Sequence, residues 1–273
     1  MDADDRLRAR LDGAIAVDEI GIESGGYGIY RLRCLYQQIF ERRRQTLKAV
    51  AIMGKVAPYL GAEEVPAEMF REAVAEEDAG FIEFLSLALI VRNHANLGLD
   101  TQMLAIGLKD HHVRFIARQA SESELGPADV ICALEETAVA PSRLSSVAAE
   151  IRKQGMRAAI GDFGASRWTD EQINLLAPEI VIINGDWFRK ICRDPVTVRL
   201  FDTVVGRLHE RKAKVLVGGI ETEQHLGVAI RAGADLFKGP HLAPPAHVGS
   251  EPVETLSLRD KLGGSEKIVP LYG

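Results

Sequence analysis

Arg157-Ala158-Ala159-Ile160-Gly161-Asp162-Phe163-Gly164 is the stretch on which the reading of this chain turns. Gly155 stops the helical pattern before it, and the short apolar run that follows has the form of a buried parallel strand. The strand delivers Gly161, Asp162 and Phe163 to its C-terminal end. In α/β barrels that end bears the chemistry. One carboxylate beside a glycine therefore poses the functional question.

Outward from this strand, short apolar runs and amphipathic stretches alternate. Strands are expected at 103–108, 130–134, 158–162, 180–184, 214–217 and 235–238. Helices are expected between them at 110–121, 141–154, 169–176, 196–212 and 222–232. Upstream, 30–40 and 46–53 read as strands joined by Glu41-Arg42-Arg43-Arg44-Gln45, a link too short for a crossover helix. That pair is an antiparallel hairpin, its arginines a solvated turn. Helices are expected at 66–77, opened by Pro66, and at 81–97. Eight strands with intervening helices give an α/β fold, a modified TIM-type (β/α)8 barrel with an antiparallel first strand. The expected division is an N-terminal helix and arm at 1–27 with turn material at 24–28, a barrel at 28–247, and a tail at 248–273, partly helical at 255–262.

Composition narrows the function. A chain of 273 residues with net charge −6 is not a general nucleic-acid binder. No apolar run is long enough to span a bilayer, and the charged N-terminus lacks the apolar core of a secretory signal. Cys34, Cys132 and Cys192 are odd in number and lack CxxC spacing, which argues against a disulfide framework or a structural zinc site. A reducing cytoplasm is expected. His111, His112 and His209 lack ligand spacing with one another and read as solvated helix positions.

The strand ends place residues 50–54, Gly107, Glu135, Glu136, Gly161, Asp162, Asn184, Asp186, Gly218, Glu221 and Lys238 at one mouth. A metal-dependent phosphodiesterase needs several oxygen ligands around its ions and an activated water. This mouth has at most five acidic side chains, with glycines at several key positions. Asp186 and Glu221 lie past their strands, where they suit helix N-termini. Gly218-Gly219 could offer backbone amides to a phosphate. Trp168, Trp187 and Phe188 suit either an interface or the core.

In this setting the chain resembles the EAL domains, bacterial cyclic-di-GMP phosphodiesterases. Tyr36-Gln37-Gln38-Ile39 resembles that family's Tyr-Gln-Pro-Ile, and Gly161-Asp162-Phe163-Gly164 its Asp-Asp-Phe-Gly. Gly218-Gly219-Ile220-Glu221-Thr222 resembles its Glu-Gly-Val-Glu-Thr, and Lys238-Gly239 with Pro245 its closing Gln-Gly and Pro. The helix opening Pro66-Ala67-Glu68-Met69-Phe70 also matches, and order and spacing agree over 28–245. The resemblance implies a barrel with an antiparallel first strand, a magnesium or manganese centre in active members, and a homodimer.

The departures fall on the site. By the resemblance, Val50 stands where the Glu of Glu-Ala-Leu belongs, and Gly54 where a phosphate-contacting arginine belongs. Gly107 replaces a metal-binding Asn, Gly161 the first Asp of the pair, and Ile182 the lysine near the attacking water. Asn184 replaces an Asp, Gly218 a Glu, and Lys238 the closing Gln. Asp162 and Glu221 persist, together with Glu136 if Ala133 takes the ligand position; a shifted register instead puts Glu135 there. The expectation is a degenerate, non-catalytic EAL-like signalling domain, with no catalytic residues, no metal and no cofactor. It would act as a regulatory module on a protein partner, without an intact cyclic-di-GMP site. The alternatives are a nucleotide sensor that binds without hydrolysis, a residual phosphodiesterase, or other chemistry using Lys238, Asp162 and Glu136.

Overall fold

The computed structural model describes residues 3–95, 103–135 and 139–263. The chain opens with α1 (Ala3–Ala14), β1 (Ile15–Val17) and β2 (Glu23–Tyr27), then the two long strands β3 (Tyr30–Arg43) and β4 (Thr46–Leu60). β5 (Glu63–Glu64), α2 (Ala67–Ala73) and α3 (Ala79–Ala95) follow. The alternating part runs β6 (Met103–Leu108), α4 (Val113–Glu122), β7 (Val130–Leu134), α5 (Leu144–Lys153), β8 (Arg157–Phe163) and α6 (Asp170–Leu176). It continues through β9 (Ile180–Ile183), α7 (Gly185–Ile191), α8 (Pro195–Glu210), β10 (Lys214–Val217), α9 (Glu223–Arg231) and β11 (Leu236–Phe237). The chain finishes with β12 (Ala246–His247), β13 (Thr255–Ser257) and α10 (Leu258–Lys261).

The strands β4, β6, β7, β8, β9, β10 and β11 lie parallel in that order. β3 closes the ring by running antiparallel to β11, through Phe237↔Phe40, and to β4, from Tyr30↔Leu60 to Arg43↔Thr46. The result is the expected closed barrel with an antiparallel first strand. Every residue of β7 is buried, because one face of the strand meets the barrel interior and the other the helix layer. The interior is filled by Ile39, Ala51, Ala105, Ile131, Ala133, Ala159, Ile180, Ile182, Leu216 and Leu236, separate from the larger core under the helices.

Strands on both sides of the barrel segment add to its hairpin. β2 pairs with β3 through Gly25↔Leu32, and β13 pairs with β4 through Leu256↔Leu47. The stretch read as turn material is thus a strand. Its glycine has a packing reason: a Cβ on Gly25 would stand 3.0 Å from Leu89 Cδ1 and 3.1 Å from Leu85 Cδ2 on α3. β3 and β4 also continue well past the ring, where β2 and β12 pair with β3 and β5 with β4, and Leu35, Ala57 and Tyr59 form a small cluster of their own.

All three cysteines are free and buried. Burial pushes the Cys34 and Cys132 thiols up to about 12 and that of Cys192 up to about 11, so they stay protonated and unreactive. Among the described residues no helix is long and apolar enough to cross a membrane.

Glu23 on β2 has a buried Oε2 with no hydrogen bond, 3.8 Å from an Arg92 guanidinium nitrogen. Burial raises its pKa and Arg92 offsets this only in part. Just above the ordinary carboxylate value the folded chain keeps a proton that the unfolded chain has released, so this group's contribution to stability falls as pH rises through that window. Urea midpoints of the wild type and Glu23→Gln at pH 4.5 and 7.5 are expected to show the wild type losing ground to the variant at the higher pH. A gap that widens in the opposite direction would place the carboxylate in a net stabilising ion pair.

Candidate functional site at the barrel mouth

The C-terminal ends of the strands bring a small set of polar groups together. Lys238 follows β11, and its amide continues the ladder by donating to Val217 O at 2.9 Å. Its Nζ donates to Gln37 Oε1 on β3 at 3.1 Å, while Gln37 Nε2 donates to Ala243 O at 3.1 Å. Burial lowers the Lys238 pKa, the charge of Lys55 lowers it further, and Asp162 acts in the opposite sense. Across the mouth, Glu135 stands at the end of β7. Its pKa is raised by burial and by the charge of Asp162, against the pull of Lys109.

Asp162 adopts a left-handed backbone with φ +50, which turns the chain sharply at the strand end. Its Oδ1 accepts from Asn184 Nδ2 at 3.1 Å. Its carbonyl accepts from Ala165 N at 3.1 Å, Ser166 N at 3.2 Å and Ser166 Oγ at 2.9 Å, so this residue folds the following loop. Asn184 also caps α7 by accepting from Trp187 N at 2.9 Å. The loop is closed by aromatics: Trp168 Nε1 donates to Gly161 O, and the Trp187 ring covers Gly164 so closely that a Cβ there would overlap it. Phe188 is fully buried in the core.

The other predicted site positions supply little chemistry. Ile182 and Ala133 fill the barrel interior. Gly107 faces open space, with nothing within 4 Å of where a Cβ would stand, whereas a Cβ on Gly161 would lie 3.6 Å from Glu135 Cγ. A Cβ on Gly218 would lie 3.1 Å from Ile183 O, the carbonyl to which the Gly218 amide already donates at 3.3 Å. Glu221 pairs with Arg189 at 2.9 Å, and Arg189 also pairs with Asp186. The cap of α9 is Thr222, whose Oγ1 accepts from His225 N. Glu136 lies outside the described residues.

A bulge in β4 sets Val50 and Gly54 apart. The β3–β4 register shifts between Ile39 and Phe40, where Ile39↔Ala51 and Phe40↔Ala49 leave Val50 as the extra residue of a bulge. Ala51 lies in the barrel interior, with Val50 and Met53 packed against the same cluster. Gly54 faces away from the mouth, since its Cβ would stand 2.5 Å from Ile90 Cγ2 on α3. With a side-chain period of two, the neighbouring Lys55 points to the mouth side, where its charge reaches Lys238. A bulge leaves no mark in the pattern of apolar residues, so nothing in the sequence warns of the slip.

The family model of the EAL domain matches residues 79–245. The chain belongs to the EAL domain family. Among solved structures, this EAL chain is similar to Klebsiella pneumoniae BlrP1 in a manganese and cyclic-di-GMP complex, with TM-score 0.72 and 22% identity over 83% of this chain and 59% of that one. The same protein in a calcium and cyclic-di-GMP complex aligns with TM-score 0.70, 22% identity and the same two coverages. The Bacillus subtilis YkuI protein, with an EAL domain and in complex with cyclic-di-GMP and calcium, aligns with TM-score 0.67 and 18% identity over 81% of this chain and 56% of that one. This EAL chain therefore spans 56–59% of the length of these neighbours. No curated protein matches it in a sequence search.

The expectation of no metal is corrected by these neighbours, which hold manganese or calcium, and by a group in this EAL chain itself. Among the described residues, Glu83, His111 and His112 bring ligand atoms within 4.8 Å of one another. His112 is not the solvated residue expected but is 3% exposed, packed on Phe84, and its pKa is lowered to about 4, chiefly by burial. Glu83 comes from α3, remote in sequence, so spacing alone could not reveal the group. At the mouth, Glu135 and Asp162 form no comparable group among the described residues, and the Lys238 ammonium already stands near Asp162. Among the described residues, this carboxylate pair with a lysine fits the two-ion centre of a hydrolase poorly.

Proposed function

We propose that this EAL domain serves cyclic-di-GMP-related signalling as a regulatory, non-hydrolysing module that acts in the cytoplasm through a protein partner. The observation that supports the reading is what lines the mouth: Ala51, Gly107, Ala133, Gly161, Ile182 and Gly218 offer no group to hold or activate a water. Among the described residues Glu135 and Asp162 stand there, and acid–base work by two carboxylates does not replace the Lewis acid and hydroxide source that phosphodiester hydrolysis uses. In this reading 28–247 form the module and 1–27 and 248–273 are annexes, of which β2 and β13 pair with its hairpin.

A second reading is favoured by Lys55 and Lys238. Two cationic side chains close enough to interact across the mouth suit the phosphates of a bound nucleotide, held without cleavage. Lys55, rather than Gly54, would then take the phosphate-contacting role. Calorimetric titration of the purified chain with cyclic-di-GMP, with and without manganese, separates the two. Binding that weakens at least ~10-fold, about 1.4 kcal/mol, in Lys55→Ala and Lys238→Ala is the result expected of a sensor. No heat up to high micromolar nucleotide leaves the interaction module alone.

A further inference from the structure

We propose that Glu83, His111 and His112 form a binding site for a divalent transition ion of the zinc class, outside the barrel mouth. The ion would join α3 to the 3₁₀ turn, Asp110–His112, that leads from β6 into α4.

The geometry is close to that of a tetrahedral centre. Glu83 Oε2 lies 3.4 Å from His112 Nε2 and 4.0 Å from His111 Nε2. An ion with bonds of about 2.0–2.1 Å spaces its ligands about 3.4 Å apart at tetrahedral angles. One edge is therefore already formed, and the second closes by a rotamer adjustment of His111, whose side chain is half exposed.

Two further features point to a ligand. His112 Nε2 is buried and has no hydrogen-bond partner, on a side chain only 3% exposed. A buried polar atom left without a partner costs stability unless something fills its place. His111 is also oriented from behind: its Nδ1 lies 3.4 Å from Asp110 Oδ1, the arrangement by which a carboxylate aims the other ring nitrogen at a metal. Asp110 is itself held by Arg143.

The competing groups define the metal. Lys109 Nζ binds Glu83 Oε1, so Oε2 is the oxygen left facing the two rings. His112 Nδ1 accepts from Lys109 N at 3.1 Å, which places the proton of the neutral ring on Nε2. On binding, the ion replaces that proton, the proton moves to Nδ1, and the Lys109 amide contact is released. Only an ion with strong affinity for imidazole offsets this, which selects zinc, cobalt, nickel or copper over magnesium and calcium.

The test titrates the metal-stripped full chain with zinc and, separately, with cobalt, read by calorimetry and by cobalt absorption. One equivalent per chain is expected, with a raised melting temperature and no competition from a large excess of magnesium. Glu83→Gln and His111→Ala should each weaken binding at least tenfold and remove the thermal shift, while His209→Ala, which alters a remote histidine paired with Asp235, should leave both unchanged. Both cluster variants change exposed or half-exposed side chains, so they test the site even if His112→Ala fails to fold. Absence of binding by the wild type, or equal binding in Glu83→Gln and His111→Ala, overturns the proposal. Neither outcome touches the reading of the mouth, which uses none of these residues.

Discussion

Cyclic-di-GMP incubated with the purified chain and magnesium or manganese is expected to stay intact, with turnover at least ~10³-fold below that of a hydrolase with a complete two-ion centre. The size of the effect follows from what such ions supply. Lewis-acid stabilisation is worth several kcal/mol, and each 1.4 kcal/mol or so is a factor of ten in rate. In this EAL domain β4 turns Ala51 inward with Val50 and Met53 packed beside it, and the neighbouring strands present Gly107, Ala133, Gly161 and Ile182. Asp162 commits one carboxylate oxygen to Asn184 and its carbonyl to the following loop. Gly161→Asp is sterically admissible, since its Cβ would make only ordinary contacts. It is expected to restore no turnover alone, because one added carboxylate does not rebuild the ligand set. Chromatography of the nucleotide over a long incubation measures this. Metal-dependent appearance of the linear dinucleotide, abolished by chelator, would overturn the non-hydrolytic reading.

The second large effect is on stability. Gly239→Ala is expected to cost at least ~3 kcal/mol, the upper end of overpacking penalties. A Cβ at Gly239 would overlap both Ile220 O and Ile220 N. Both obstacles are backbone, so no side-chain rotation relieves them. The same segment ties the loops after β10 and β11 together: Ile220 N donates to Lys238 O, His241 N to Ile220 O, and Leu242 N and Ala243 N to Gly239 O. Moving Ile220 away breaks that network and displaces Lys238 from Gln37. A loss of this size lowers the melting temperature by roughly 6–12 °C in a domain of this length. Gly107→Ala is the internal comparison, since its Cβ meets nothing within 4 Å. A thermal melt in which the two variants behave alike would show that Ile220 yields without cost.

Gly239 and Gly107 look the same in a sequence, and that contrast marks where reading residues stops. Alternation of apolar runs with helical patterns, a hairpin link too short for a crossover, and motif order were all local signals. They determined the barrel and its antiparallel first strand. Asp162, Asn184 and Lys238 do converge at the mouth, as their strand ends required. The bulge at Val50 was not legible, because one extra residue in β4 leaves the apolar pattern intact while exchanging Gly54 for Lys55 on the mouth side. Nor was the burial of His112, which depends on Phe84 and Glu83 from another helix. The sequence by itself determined the fold, since this rests on local periodicity and residue type. Only the tertiary structure decided which cation faces the mouth and which histidines meet a carboxylate, because a one-residue register shift and the docking of α3 are set by packing between segments distant in the chain.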